Sequence, residues 1–121
     1  MARVLIVERE AQIRKLLKTI LDYAGHEVLT APDSQVAIEM CNASEGFDVV
    51  LSGVSLPMMD GHDLARWIAS HCPNSRVILM SAIDSVCEGC PFGSGCGIMR
   101  KPFMPKEVVA RIAEAVAQPP G

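Results

Sequence analysis

The stretch Asp48-Val-Val-Leu-Ser-Gly-Val-Ser-Leu-Pro-Met-Met-Asp-Gly61 decides how the chain is read. Val49, Val50 and Leu51 form a short apolar run, the pattern of a buried strand. Pro57 and then Asp60-Gly61 mark a turn. Leu64, Ala65, Trp67 and Ile68 follow at helical spacing. In open α/β sheets, ligands bind in the crevice outside the carboxyl ends of such strands. Ser52-Gly53 stand at this strand's tip, and neither carries a carboxylate.

The pattern repeats on both sides. Upstream, Arg3 to Val7 reads as a buried strand with the charged tip Glu8-Arg9-Glu10. Ile13, Leu16, Leu17, Ile20, Leu21 and Ala24 then recur as one helical face, closed by Gly25. His26 to Thr30 reads as a second strand, with His26 at its exposed start. Pro32-Asp33-Ser34 opens a second helix carrying Val36, Ala37 and Met40 inward. The quoted strand is expected over Asp48 to Ser52. Downstream, Val77 to Met80 is a fourth strand ending at Ser81, and Ile98-Met99 a short fifth before Arg100-Lys101-Pro102-Phe103. Val108, Val109, Ile112, Ala115 and Val116 mark the last helix, with Pro105 in its first turn. Between the last two strands the amphipathic period fails. Residues 83–97 hold three cysteines, four glycines and Pro91. The fourth helix of the series is therefore short or replaced by a Cys/Gly-rich loop.

Strand-helix alternation implies parallel strands covered on both faces, hence a three-layer αβα sandwich on a five-stranded parallel sheet. The 121 residues, half of them hydrophobic, fit one domain. We place it at 1–118, with 119–121 as a tail. The net charge of −3, without runs of like charge, argues against nucleic-acid binding. The apolar runs are strand-sized, so no membrane span is expected. The amino-terminal residues read as a strand, not a signal peptide, and the location expected is cytoplasmic. An initiating Met and a stop after the last helix suit a stand-alone chain.

The tips Val-Leu-Ile-Val-Glu-Arg-Glu, Leu-Pro-Met-Met-Asp-Gly, Ile-Leu-Met-Ser-Ala and Arg-Lys-Pro-Phe, in this order and spacing, resemble the receiver domain of two-component response regulators. That resemblance covers nearly the whole chain. It implies a flavodoxin-like sheet of order 2-1-3-4-5. It also implies an aspartate at the third strand's tip that becomes an aspartyl phosphate, with Mg²⁺ held by that aspartate and two acidic residues after the first strand. Ser81 and Lys101 match the hydroxyl and the lysine that contact the phosphoryl group, Pro102 matches the family's cis proline, and Glu8 matches the first acidic position. Arg9 stands where the second acid is expected. Gly53, four before Pro57, stands where the phosphoacceptor is expected, and Ile98 where the family often has an aromatic switch residue.

Glycine cannot be phosphorylated, and strand alternation points Ser52 to the opposite side. Arg9 brings a fixed positive charge to the metal corner. We therefore expect a degenerate receiver, without useful Mg²⁺ binding and not an enzyme. It acts as a protein–protein interaction module with a histidine kinase, another receiver or an output domain as partner. The alternative is a phosphorylatable regulator with an atypical acceptor, for which Ser55 and Asp60 are the neighbours within reach. A flavin site would need a hydroxyl-rich loop after the first strand, and a dehydrogenase a G-x-G-x-x-G; neither is present.

Five cysteines remain in a chain expected to stay reduced. Cys87, Cys90 and Cys96 have C-x₂-C-x₅-C spacing in a glycine-rich segment. With Cys72, at the end of the third helix, they make four soft ligands for zinc or an iron–sulfur cluster. His71 and His62 are poorer candidates. Two other readings stay open: a redox-active C-x-x-C pair, and inert buried thiols. Cys41 reads as a core or helix-surface residue apart from this cluster.

Overall fold

The computed structural model describes residues 2–43, 46–53, 56, 59, 61–72, 74–81, 99–100 and 105–117; of Ser81, Met99 and Arg100 only the backbone is described. Strands β1 (Arg3–Val7), β2 (Glu27–Ala31), β3 (Val49–Gly53) and β4 (Arg76–Ser81) alternate with helices α1 (Ala11–Tyr23), α2 (Ser34–Ala43) and α3 (Gly61–His71). Met99–Arg100 (β5) and helix α4 (Pro105–Ala117) complete the described elements. Every strand pair is parallel, in the order β2-β1-β3-β4, and the two residues of β5 continue the ladder beside Met80 and Ser81. Residues 82–98, including the segment read as a shortened fourth helix and Ile98 of the expected fifth strand, lie outside the described residues.

The strands form because both faces of the sheet are dry. Val4 and Ile6 of β1, Val49 and Leu51 of β3, and Ile78 and Met80 of β4 bury against Leu17 and Leu21 of α1 and Val108 and Ile112 of α4. The alternate residues Leu5, Val7 and Val50 bury with Ala37 and Cys41 of α2 and Leu64 and Ile68 of α3. Two-sided burial is what makes these runs apolar throughout instead of alternating. The boundaries expected from sequence shift by a residue: Gly53 belongs to β3, and β2 starts after His26. His26 is half-buried, and its Nδ1 accepts a hydrogen bond from the Ala2 amide at 3.1 Å. It thereby ties the start of β1 to the turn before β2.

Helix ends follow local chemistry. The Asp33 carboxylate accepts from the Val36 amide at 2.9 Å and caps α2. At the end of α1, Gly25 adopts φ +93°, and His26 N–H reaches back to Leu21 C=O at 3.1 Å. This is the left-handed stop that glycine makes without strain. Leu16 and Val116, expected inward, are 53% and 46% exposed. The buried stripe of α1 is narrower than its apolar content, because Ile13, Leu17, Ile20 and Leu21 already cover the sheet.

Candidate functional site

The chain leaves β1 for β2 on one side and returns to β3 on the other, so the order of strands reverses between β1 and β3. The carboxyl ends on either side of such a switch point flank the crevice. Register then sets the contents. Val7 pairs with Ser52, which places Glu8 beside Gly53 at the shared tip. Glu8 continues the parity of Val4 and Ile6, and Gly53 that of Val49 and Leu51, so both belong to the α1/α4 face.

Glu8 is almost fully buried at 1% exposure. Its carboxylate borders the space that a side chain at position 53 would enter. A Cβ on Gly53 would lie 3.3 Å from Glu8 Oε2 and 3.6 Å from Oε1. Backbone bonds fix this placement: Glu8 N–H donates to Ala31 C=O at 3.1 Å, and Arg14 Nη1 of α1 donates to Glu8 C=O at 2.7 Å. Burying a carboxylate is costly unless it is partnered, and Glu8 does make a polar interaction.

The neighbours complete the tip. Ser52 is buried, and its hydroxyl donates to Gly53 C=O at 2.9 Å, so it is engaged within its own strand. Arg9 is exposed on the bend after β1 and does not share the enclosed space of Glu8. Ser81 ends β4 in register with Arg100, which brings the residue before Lys101 to the same edge. Lys101, Pro102, Ser55 and Asp60 lie outside the described residues, as do Cys87, Cys90 and Cys96.

A receiver's Mg²⁺ would need several oxygen ligands at this tip. Glu8 supplies one carboxylate, Gly53 supplies no donor, and Arg9 is a cation. The residues present do not fit that ion, and among the described residues no group of three His, Cys, Asp or Glu side chains could hold a metal.

The cysteine pattern is partly redrawn. Cys72 follows α3 directly, with its N–H bonded to Ile68 C=O at 2.7 Å, and it packs against the cluster that contains Cys41. Cys72 is a close enough neighbour to bear on the ionisation of Cys41. The sequence sets Cys41 apart from Cys72; the two share a cluster because α2 and α3 cover the same face of the sheet. Burial, and then the neighbouring Cys72, push the Cys41 thiol up to about 11 from its ordinary 9.0. The native state therefore holds a proton that the unfolded chain releases first. This contribution to stability is complete below pH 9 and is lost as pH rises to 11, on the order of 2 kcal/mol. Urea midpoints between pH 8 and 11 should fall more steeply for the parent chain than for Cys41→Ala; parallel slopes would refute the assignment.

The parallel sheet and its covering helices define a flavodoxin-like α/β domain, and comparison narrows the class. Residues 4–113 match the family model for the response regulator receiver domain, and the chain belongs to that family. It is 35% identical over 113 residues to the probable transcriptional regulator ycf27 of Guillardia theta, covering 91% of this chain and 43% of the relative. It is 33% identical over 124 residues to the response regulator protein FleR of Pseudomonas aeruginosa, covering 99% of this chain and 26% of the relative. The chain thus spans less than half the length of these curated relatives. Among solved structures, a receiver domain protein from Clostridium thermocellum superposes with a TM-score of 0.87 at 25% identity, covering 96% of this chain and 94% of the other. The chemotaxis response regulator CheY4 of Vibrio cholerae superposes with a TM-score of 0.83 at 28% identity, covering 95% and 98%. None of the described helices is long and apolar enough to cross a membrane.

Proposed function

We propose that this chain is a receiver-type signalling module, working in the cytoplasm, that does not pass through an aspartyl phosphate. One observation carries the reading: Gly53 stands at the acceptor position, and the Glu8 carboxylate lies 3.3 Å from where its Cβ would be. Among the described residues, position 53 offers no side-chain nucleophile, and Glu8 is the one carboxylate beside it. The module acts by docking to a histidine kinase, another receiver or an output domain, and the names of its longer relatives favour a transcriptional output. Input through Cys87, Cys90 and Cys96, as bound metal or thiol state, is part of the same proposal. Cys72, packed against the apolar cluster that holds Cys41, is a weaker fourth ligand.

One preparation tests both halves. Anaerobically purified chain is analysed for zinc and iron, then incubated with an acyl-phosphate donor and Mg²⁺ and weighed intact. The expected result is metal at about one equivalent and no gain of a phosphoryl group. A stable phosphoryl adduct would overturn the first half and favour an atypical acceptor. Metal-free protein would overturn metal input.

A further inference from the structure

Cys41 and Cys72 are 31 residues apart in sequence. Cys41 lies in α2 and is 7% exposed, while Cys72 is only half-buried. Hydrogen bonds on both sides hold Cys72 in place: its N–H to Ile68 C=O at 2.7 Å, and its C=O from Ser75 N–H at 3.0 Å. Both sulfurs belong to one apolar cluster on the α2/α3 face, and both are free thiols. A buried thiol with no thiol neighbour is an inert hydrophobe. A half-exposed thiol packed in the same apolar cluster as a buried one has an oxidation route, since the outer sulfur meets the oxidant and the inner sulfur resolves it.

We propose that Cys41 and Cys72 are a redox-sensitive pair, closed to a disulfide by a hydroperoxide. The Cys72 thiolate attacks the peroxide O–O bond, giving a Cys72 sulfenic acid and releasing water after proton transfer. The Cys41 sulfur then attacks the Cys72 sulfur, forming the S–S bond and expelling a second water. Two thiols lose two electrons and two protons, and hydrogen peroxide is reduced to two waters. The closed loop encloses β3 and the whole of α3, so the link would staple α2 to the end of α3 around Gly53. Loop closure of this size should raise the thermal midpoint by roughly 5–15 °C if the bond forms without strain.

Tryptic cleavage isolates the partners. No Lys or Arg lies between Lys18 and Arg66, so Cys41 falls in peptide 19–66, Cys72 in 67–76, and the other three cysteines together in 77–100. The reduced full-length chain is treated with hydrogen peroxide, alkylated and digested. The expected product is peptide 19–66 joined to 67–76, two hydrogens lighter than the sum and separated by dithiothreitol. Cys41→Ser should lose the cross-link and leave a Cys72 sulfenic acid that dimedone traps. Cross-linking of 67–76 to 77–100 would overturn the proposal. So would a Cys72 that stays reduced, or one over-oxidised beside a reduced Cys41. The mapping uses the unsubstituted chain, so it stands even if Cys41→Ser does not fold.

Discussion

Gly53→Asp is expected to destabilise the fold by about 1–3 kcal/mol at neutral pH in the absence of divalent cation. The backbone is not the obstacle, since Gly53 lies in a regular strand paired to Met80. The obstacle is Glu8. A Cβ at 3.3 Å from Glu8 Oε2 is a tight contact that a small movement of the carboxylate relieves, so Gly53→Ala should cost little. An aspartate adds a second carboxylate to a space where the first is only 1% exposed. Two carboxylates in contact cannot both ionise freely, and one is held protonated. That raised native pKa makes the variant most stable in acid and progressively less stable as pH rises through neutrality. Gly53→Asn has nearly the same volume without the charge, so its loss should not depend on pH in this way. Denaturation midpoints in EDTA at pH 5 and pH 8 separate the two. If the aspartate and asparagine variants behave alike at both pH values, Glu8 is not the neighbour that matters.

Much of this architecture was readable from residues, for a physical reason. Parallel strands buried on both faces must be apolar throughout, so Val4-Leu-Ile-Val7 and Val49-Val-Leu51 could only be central strands. That position 53 at the tip of β3 is a glycine was readable too. The neighbour of that position was not. That Glu8 stands beside it depends on the pairing of Val7 with Ser52, a contact across 45 residues of chain. The same holds for Cys41 and Cys72, which each sit at the end of a helix and meet only because both helices cover one face. The sequence puts the fixed charge of Arg9 at the metal corner. That residue is exposed on the bend after β1, next to the buried Glu8.

The largest change expected at this site is a gain. Glu8→Asp, Arg9→Asp and Gly53→Asp combined should give the chain Mg²⁺ binding and acceptance of a phosphoryl group from a small acyl phosphate, both expected to be undetectable in the parent. Each substitution has a separate task. Gly53→Asp supplies the nucleophile and a metal ligand, and Arg9→Asp replaces a cation with a further oxygen ligand. Glu8→Asp shortens the buried side chain by one methylene, clearing the 3.3 Å contact that would otherwise crowd the new acceptor. A double variant that keeps Glu8 should therefore respond less than the triple. Binding to the native state alone stabilises it, by about 2.7 kcal/mol at a hundredfold excess over Kd. Mg²⁺ should thus raise the melting temperature of the triple variant and leave the parent unchanged. Intact mass after the phosphodonor reads the chemistry independently. If Mg²⁺ binds but no phosphoryl group is gained, the defect extends to the edge where Ser81 pairs with Arg100. If Mg²⁺ has no effect at all, Gly53 and Arg9 are not what separates this tip from a metal-holding one, and the proposed function loses its chemical basis.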